Sequence, residues 1–209
     1  MSHPLLPVLR RARVVPVIRT STAAHAITAC AWLREAGLSV LEITLTTPDA
    51  VPLIKELAGE PGLLVGAGTV PDERAAEACL AAGAKFLVTP WVDPAVIALA
   101  RAAGAAALPG AMTPTEIRAA LAAGADVVKL FPASSAGGPA HLRAVRAVFP
   151  DVAFCPTGGV DASNAPAYLA AGAAFVGIGG KLVDESRIAA GDKSAILRAA
   201  REVMGIEQA

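Results

Sequence analysis

Short apolar runs alternate with alanine-rich runs along most of the chain, and a glycine often separates the two. Five segments share this pattern: EAGLSVLEI at 35–43, AAGAKFLV at 81–88, AAGAAAL at 102–108, AAGADVVKL at 122–130 and AAGAAFVGI at 170–178. A glycine just past a helix adopts the left-handed cap conformation without the strain that a Cβ adds. The apolar runs are too short for helices and are often β-branched, which is typical of buried parallel strands. The pattern therefore predicts alternating helices and parallel strands.

Three further apolar runs extend the series: PGLLVGAGT at 61–69, FPDVAFCPTGG at 149–159 and a first run at 14–18. The predicted strands are then 14–18, 39–44, 63–66, 85–88, 106–108, 126–131, 152–155 and 174–178. Caps and first-turn prolines predict helix starts at Pro48–Asp49, Pro71–Asp72, Asp93–Pro94, Thr113–Pro114 and Asp161–Ser163. Eight βα units of roughly twenty to twenty-five residues predict an α/β fold of the (β/α)8 TIM-barrel class. We expect one domain over residues 1–209, with residues 1–12 as an extra N-terminal helix across the barrel bottom.

A doubly wound open sheet is the alternative fold. Such sheets often carry G-x-G-x-x-G after the first strand. Here the first strand is followed by Arg19-Thr20-Ser21-Thr22, and Gly66-Ala67-Gly68 after the third strand lacks the third glycine. The barrel is therefore the favoured prediction.

Composition narrows the classes of partner. Apolar residues make up 55% of the chain and charged residues 17%, which excludes a disordered protein. Lys plus Arg and Asp plus Glu both number 18, so no basic excess points to nucleic acid or to an anionic membrane. The uncharged stretch 162–180 contains Ser163, Asn164 and Pro166 and divides into a helix and a strand, so no transmembrane segment is predicted.

The cysteines and histidines are sparse. Cys30, Cys79 and Cys155 form no CxxC pair, which indicates a reduced cytoplasmic location. The three histidines, His3, His25 and His141, do not stand at metal-ligand spacing, so no metal site is expected.

Two charges fall inside predicted strands. Glu42 lies in VLEITL and Lys129 in DVVKLF, each among aliphatic residues, where a charge is costly unless it is paired or neutralised. One interpretation is a buried ion pair that only closes the barrel. The other is catalytic: desolvation favours a neutral lysine amine that can attack a ketone, with the carboxylate moving protons beside it.

Glycine pairs follow the last two predicted strands. Thr157-Gly158-Gly159 comes after strand seven and Gly179-Gly180-Lys181 after strand eight. The loops after these strands often bind phosphate in a barrel, because glycines expose backbone N–H groups. Ordinary strand-end turns are the alternative.

With these residues placed, the sequence resembles the 2-keto-3-deoxy-6-phosphogluconate (KDPG) / 4-hydroxy-2-oxoglutarate (KHG) aldolase family over nearly its whole length. Seven motifs occur in family order: VVPVIR at 14–19, LEITLTTPDA at 41–50, VGAGTV at 65–70, VTP at 88–90, KLFPAS at 129–134, CPTGGV at 155–160 and GIGGKLV at 177–183. The resemblance implies a (β/α)8 barrel, a homotrimer and a class I aldolase that uses neither a metal nor a cofactor.

The resemblance also implies residue roles. Lys129 would form the Schiff base with the keto carbon, and Glu42 would be the general acid and base. The predicted site for the pyruvate carboxylate and the reacting carbon comprises Arg19, Thr46, Thr69, Pro90 and Phe131. The predicted phosphate site comprises Thr157, Gly158, Gly159, Gly179, Gly180 and Lys181.

The sequence departs from the family at two positions. Some members carry arginine where this chain has Thr46, and Arg19 is expected to take over its role. Lys181 replaces the serine that is common in the phosphate site. The segment PASSAGGP at 132–139 resembles the branch that acts on the galactonate epimer (KDPGal) as much as the gluconate branch.

Two hypotheses compete with an aldolase. One is an isomerase or an enzyme of indole- or thiazole-type phosphate chemistry, which leaves Lys129 unexplained. The other is a non-catalytic barrel that binds a sugar-acid phosphate.

Overall fold

The computed structural model describes residues 3–205, and within this range helices and strands alternate as the sequence pattern predicts. The strands are β1 Val14–Ile18, β2 Val40–Thr44, β3 Leu64–Gly68, β4 Phe86–Val88, β5 Ala106–Leu108, β6 Gly110–Ala111, β7 Val128–Leu130, β8 Phe154–Pro156 and β9 Val176–Ile178. The helices are α1 Leu6–Ala12, α2 Ala23–Glu35, α3 Ala50–Ala58, α4 Glu73–Ala81, α5 Pro94–Ala102, α6 Pro114–Ala123, α7 Gly138–Val148, α8 Ala165–Ala170, α9 Glu185–Ala189 and α10 Lys193–Gly205. None of the helices in this range is long and apolar enough to cross a membrane.

All strand pairs are parallel and form two curved sheets. The larger sheet has the order β5-β4-β3-β2-β1-β9, and the smaller has the order β6-β7-β8. A single bridge between Thr157 and Gly177 connects the end of β8 to β9. At the other junction only Pro109 separates β5 from β6. The α/β class and the parallel arrangement are therefore confirmed.

The fifth predicted strand, 106–108, has the bounds of β5, and the short strand β6 that follows it was not predicted. Pro109 separates the two strands, because proline has no backbone N–H and cannot donate a ladder hydrogen bond. The Pro109 carbonyl still accepts a hydrogen bond of 2.9 Å from the Lys129 N–H, which ties this segment to β7.

The predicted end of the third strand at residue 66 is wrong, because β3 continues to Gly68. Glycines usually weaken strands, but here both fall on the inner face where bulky neighbours need their space. A Cβ at Gly66 would collide with the Phe86 ring, and a Cβ at Gly68 would collide with the Glu42 carboxyl group. The tertiary structure thus requires glycine at both positions.

Helix ends mostly follow the predicted caps. Asp72, Asp93 and Thr113 accept hydrogen bonds from the first turns of α4, α5 and α6. Asp49 differs: it adopts φ 55°, and its side chain makes no capping hydrogen bond to α3. The glycines of the five repeats all have positive φ, between 70° and 102°, as the pattern predicts.

The strands bury both faces, and this alternation positions the charged residues. On β2, Leu41 and Ile43 pack against the helices, whereas Val40 belongs to a separate inner cluster. That cluster comprises Leu6, Leu9, Val15, Val40, Phe86, Val88, Ala106, Leu108, Val127, Ala153, Cys155 and Phe175. Side chains alternate between the two faces of a strand with period two. Glu42 comes two residues after Val40, and Lys129 comes two residues after Val127, so both charged side chains lie on the same inner face, nearer the carboxyl ends of the strands. Helix α1 contributes Leu6 and Leu9 to the apolar end of this cluster.

We predict that Gly66→Ala lowers the free energy of unfolding by about 1–3 kcal/mol, because the added methyl group overpacks the inner cluster against Phe86. Urea denaturation measures this loss. Gly59→Ala is the control, since Gly59 has φ −80° and the added methyl group meets only an ordinary contact. Equal stability of the two variants would contradict the close packing of Phe86 over Gly66.

Candidate active site

Glu42 and Lys129 are buried on the inner face at the carboxyl half of their strands. Their exposed fractions are 5% and 4%, the lowest of any charged residues in the described chain. Glu42 stands in register with Val17 on β1 and Gly66 on β3, and its carboxyl group fills the space above Gly68. Lys129 stands in register with Cys155 on β8. The two strands therefore direct an acid and an amine into one interior.

The Glu42 carboxyl group is not held in a closed ion pair. Among residues 3–205, no ion pair within 4.0 Å joins Glu42 to Lys129, and the Oε1 atom of Glu42 has no hydrogen-bond partner. Burial raises the pKa of Glu42, while the charges of Lys129 and Arg19 act in the opposite direction. A buried carboxyl group with a free oxygen and a raised pKa is suited to act as a general acid as well as a general base.

Lys129 faces an open cavity. Its Nζ atom lies 4.7 Å from the centroid of the Phe131 ring, within range of a cation–π contact. Both side chains line a cavity of about 580 Å³, called here the main cavity. The amine can therefore be reached by a small molecule although the residue is almost wholly buried.

Arg19 stands at the end of β1 and lines the main cavity. Its guanidinium donates to the Thr46 hydroxyl at 3.1 Å and to the Thr69 hydroxyl at 3.0 Å. Thr69 adopts φ 54°, a left-handed conformation that is uncommon outside glycine. The guanidinium thus lies within hydrogen-bond distance of both threonine hydroxyls.

The predicted phosphate residues meet along one side of the main cavity. Thr157, Gly158, Gly159, Gly179, Gly180 and Lys181 all line it. A Cβ at Gly158 would press on the Phe131 ring, whereas no described atom lies within 4 Å of a Cβ placed on Gly180. The loop 179–181 therefore presents open backbone to the cavity, whereas the glycines of 157–159 are packed against Phe131 and Ser134. We call these two loops, 157–159 and 179–181, the distal-anion loops.

Pro90 lies outside the main cavity. It lines a second cavity of about 360 Å³ together with Trp91, Gly110 and Met112, and Phe131 borders both cavities. A Cβ on Gly110 would collide with the Pro90 backbone, so the two loops are in close contact. Pro90 therefore approaches the site from the far side of the Phe131 ring.

Several site residues were not recognised from the sequence. Val17, Val160, Val183, Asp184 and Glu185 line the main cavity, and Cys155 lies beside Lys129. Val17 lies on β1 two residues before Arg19, which directly follows that strand, so period-two alternation could have indicated it. Asp184 and Glu185 follow β9, on the side of the molecule where a barrel has its active site. Their sequence is that of an ordinary helix start, so nothing local marked them as site residues.

The described residues include no group of three or more His, Cys, Asp or Glu side chains that could hold a metal ion. The three cysteines are free and buried. Burial raises the pKa of the Cys155 thiol to about 12, and the nearby Glu42 charge adds to this effect. Cys155 is therefore an uncharged neighbour of Lys129.

We predict that Glu42→Gln raises the thermal unfolding midpoint, and that the gain increases with pH. The folded protein holds the Glu42 proton to a higher pH than the unfolded chain, whose pKa is about 4.5, so ionisation costs folding stability as the pH rises above that value. Scanning calorimetry from about pH 4 to pH 8 tests this. The exposed Glu56→Gln is the control. A gain that is constant across this range would contradict the desolvated state of Glu42.

Known proteins resemble this chain over nearly its whole described length. A family model described as KDPG and KHG aldolase matches residues 6–199. The 2-dehydro-3-deoxy-phosphogluconate aldolase of Pseudomonas aeruginosa is 38% identical over 196 residues, which cover 93% of this chain and 89% of that protein. The KHG/KDPG aldolase of Escherichia coli K12 is 35% identical over 198 residues, covering 94% and 93% of the two chains.

A solved structure shares both fold and sequence. The KDPG aldolase of Legionella pneumophila, crystallised with pyruvate captured as a covalent carbinolamine intermediate, superposes with a TM-score of 0.87. Its sequence is 34% identical, and the match covers 95% of this chain and 97% of that one. This chain therefore belongs to the KDPG and KHG aldolase family.

Proposed function

We propose that this protein is a class I aldolase that cleaves 2-keto-3-deoxy-6-phosphogluconate to pyruvate and glyceraldehyde 3-phosphate, and 4-hydroxy-2-oxoglutarate to pyruvate and glyoxylate. The observation that carries the proposal is the buried Lys129 amine, which is open to the main cavity, together with the buried Glu42 carboxyl group, whose Oε1 atom has no hydrogen-bond partner. A binding protein does not need a buried amine beside an unpartnered carboxyl group, whereas imine chemistry uses the amine as nucleophile and the carboxyl group as acid and base.

The reaction begins with attack of the Lys129 amine on the C2 carbonyl of the substrate. Glu42 protonates the carbinolamine hydroxyl, water leaves, and a protonated Schiff base remains. Glu42 then removes the proton of the C4 hydroxyl group, the C3–C4 bond breaks, and its electrons flow into the iminium. The aldehyde leaves, and a lysine-bound enamine remains. Protonation of this enamine at C3 and hydrolysis of the imine release pyruvate and restore the amine.

The Arg19 end of the cavity suits the pyruvate carboxylate. A guanidinium offers a planar fork of donors that matches a carboxylate, and the two threonine hydroxyls hold it in place. Phe131 packs beside the Lys129 amine and restricts how the intermediate can turn. Pro90 acts from behind this ring by supporting its position rather than by touching the substrate directly.

The distal-anion loops suit the phosphate. Open glycine backbone can surround its oxygens with N–H donors, and Lys181 adds a positive charge at the same side of the cavity. 4-Hydroxy-2-oxoglutarate is shorter and ends in a carboxylate, so it does not extend to Lys181. The two substrates therefore share the Arg19 and Lys129 contacts and differ in the distal ones.

The architecture around this site belongs to the same proposal. The two sheets would close into one (β/α)8 barrel in a single domain over residues 1–209, with α1 as the extra helix across its bottom. The bridge from Thr157 to Gly177 and the single-residue gap at Pro109 support closure. Residues 1, 2 and 206–209 lie outside the described range.

A homotrimer in the cytoplasm is the proposed working form. The trimer rests on the family resemblance. The cytoplasmic location is supported by three free, buried cysteines, which a reducing compartment leaves unpaired. A formal net charge of zero fits a small keto-acid substrate better than nucleic acid or a membrane surface as a partner.

We predict that pyruvate with sodium borohydride inactivates the enzyme and leaves a reduced pyruvyl adduct on the peptide that contains Lys129. Borohydride reduces the iminium to a stable amine, so intact and peptide mass spectrometry report the bond directly. Lys129→Met abolishes the adduct, whereas Lys85→Met, which changes an exposed lysine at the start of β4, retains it. A folded wild-type protein without an adduct would reduce Glu42 and Lys129 to structural charges.

We predict that Lys181→Met raises KM for the phosphorylated substrate about three- to tenfold and leaves KM for 4-hydroxy-2-oxoglutarate within about twofold. Steady-state kinetics with the two substrates measures this difference. Lys193→Met is the matched control, because Lys193 pairs with Glu35 at 2.6 Å on the surface. Unchanged kinetics for both substrates would remove Lys181 from the distal site.

A further inference from the structure

Three side chains that the reaction does not use meet at the rim of the main cavity. A single oxygen of Glu185 accepts hydrogen bonds from the Ser21 N–H at 2.7 Å, the Ser21 hydroxyl at 2.6 Å and His25 Nδ1 at 2.7 Å. The cluster is only partly exposed, with 28% of the His25 side chain and 31% of the Glu185 side chain accessible. These contacts hold the pKa of Glu185 down at about 2, chiefly through His25 and Ser21, so the carboxylate stays charged at any working pH.

The cluster joins two segments beside the cavity, one that follows β1 and one that follows β9. Ser21 and His25 belong to the loop after β1 and the first turn of α2, directly behind Arg19. Glu185 begins α9, four residues after Lys181 of the distal-anion loop 179–181. Asp184 caps α9 by accepting hydrogen bonds from the N–H groups of Ser186 and Arg187. The Glu185 side chain is therefore free to contact the segment after β1, and we call the boundary between these two segments the seam.

The Arg19 side of this seam is fixed without the cluster. Thr46 and Thr69 hold the guanidinium, and the Thr20 N–H donates to the Thr47 hydroxyl at 3.2 Å. The distal side is anchored by burial of Leu182 and Val183, but neither residue ties it to the β1 loop by a hydrogen bond. The ladder between β1 and β9 ends at Pro16 and Ile178, and beyond it, within the described chain, Glu185 supplies the polar connection between the two loops.

On the basis of the proposed function, we propose that Glu185, held by Ser21 and His25, is a positioning residue. It fixes the distal-anion loop 179–181 at a set distance from Arg19 and so determines KM for the long phosphorylated substrate, whose distal anion reaches that loop. Arg19 binds one end and the loop binds the other, so a change in their separation weakens binding of the long substrate and leaves imine formation on Lys129, across the cavity, intact.

The sign of the effect separates positioning from electrostatics. Glu185 is a negative charge in the wall of a cavity that binds anions, so its removal by itself would strengthen substrate binding. A weaker binding after its removal can arise only from the lost hydrogen bonds. Glu185→Gln removes the charge and keeps an oxygen that can accept from Ser21 and His25.

The test compares Glu185→Ala, Glu185→Gln and the control Glu60→Ala, which removes an exposed ion pair of 3.1 Å with Arg34 away from the cavity. Glu185→Ala is expected to raise KM for the phosphorylated substrate about fivefold with kcat within about twofold. Glu185→Gln is expected to restore KM to the wild-type value or below, and Glu60→Ala is expected to leave it unchanged. KM for 4-hydroxy-2-oxoglutarate is expected to stay constant in all three.

An unchanged or lower KM for Glu185→Ala would overturn the proposal, and so would a Glu185→Gln variant as impaired as the alanine variant. If Glu185→Ala does not fold, His25→Ala tests the proposal in its place. This variant removes one hydrogen bond to Glu185 and is expected to raise KM for the phosphorylated substrate about two- to threefold. Borohydride trapping with pyruvate is run on every variant. Trapping that fails in the wild type refutes the aldolase function itself, whereas normal trapping with unchanged KM refutes the role of Glu185 alone.

Discussion

The burial of one acid and one amine on the inner face of parallel strands is the constraint on which the rest of the structure depends. Placing Glu42 and Lys129 among apolar side chains costs free energy that a closed ion pair could offset, yet the two groups do not form one. The neighbouring strand adapts to this arrangement: Gly68 leaves the space that the Glu42 carboxyl group occupies. Stability is thereby given up at the place where a reacting substrate needs a free carboxyl oxygen and a free amine.

Around this pair the cavity is polarised along its length. Arg19 lies at one end with its two threonine partners, and the distal-anion loops lie along another side with Lys181. The Glu185 cluster links those two regions, because Ser21 and His25 follow β1 and Glu185 follows β9, and β1 and β9 are neighbours in the larger sheet. On this proposal, recognition of the long phosphorylated substrate depends on the distance between two loops, whereas the reacting groups Glu42 and Lys129 stand on strands β2 and β7.

The sequence alone predicted the elements better than their limits. Repeat glycines and caps such as Asp93 and Thr113 act locally, so their helices begin and end where the pattern indicates. The end of β5 before Pro109 agrees with the prediction, whereas the two-residue strand β6 after it was not predicted, because so short a run has no pattern of its own. The extension of β3 to Gly68 was not readable, since glycine favours the strand there only because Phe86 and Glu42 occupy the space on its inner face.

Glu42 and Lys129 could be found from the sequence because a charge within a short aliphatic run is conspicuous wherever the chain goes. The sequence by itself therefore determined the alternating pattern, the buried acid and amine, and the two glycine loops, all of which depend on neighbours along the chain. Only the tertiary structure decided that Arg19 reaches Thr46 and Thr69, that Pro90 lies behind Phe131, and that Glu185 meets Ser21 and His25. These contacts join residues up to 164 positions apart, and their geometry is fixed by the order and curvature of the strands rather than by any local preference.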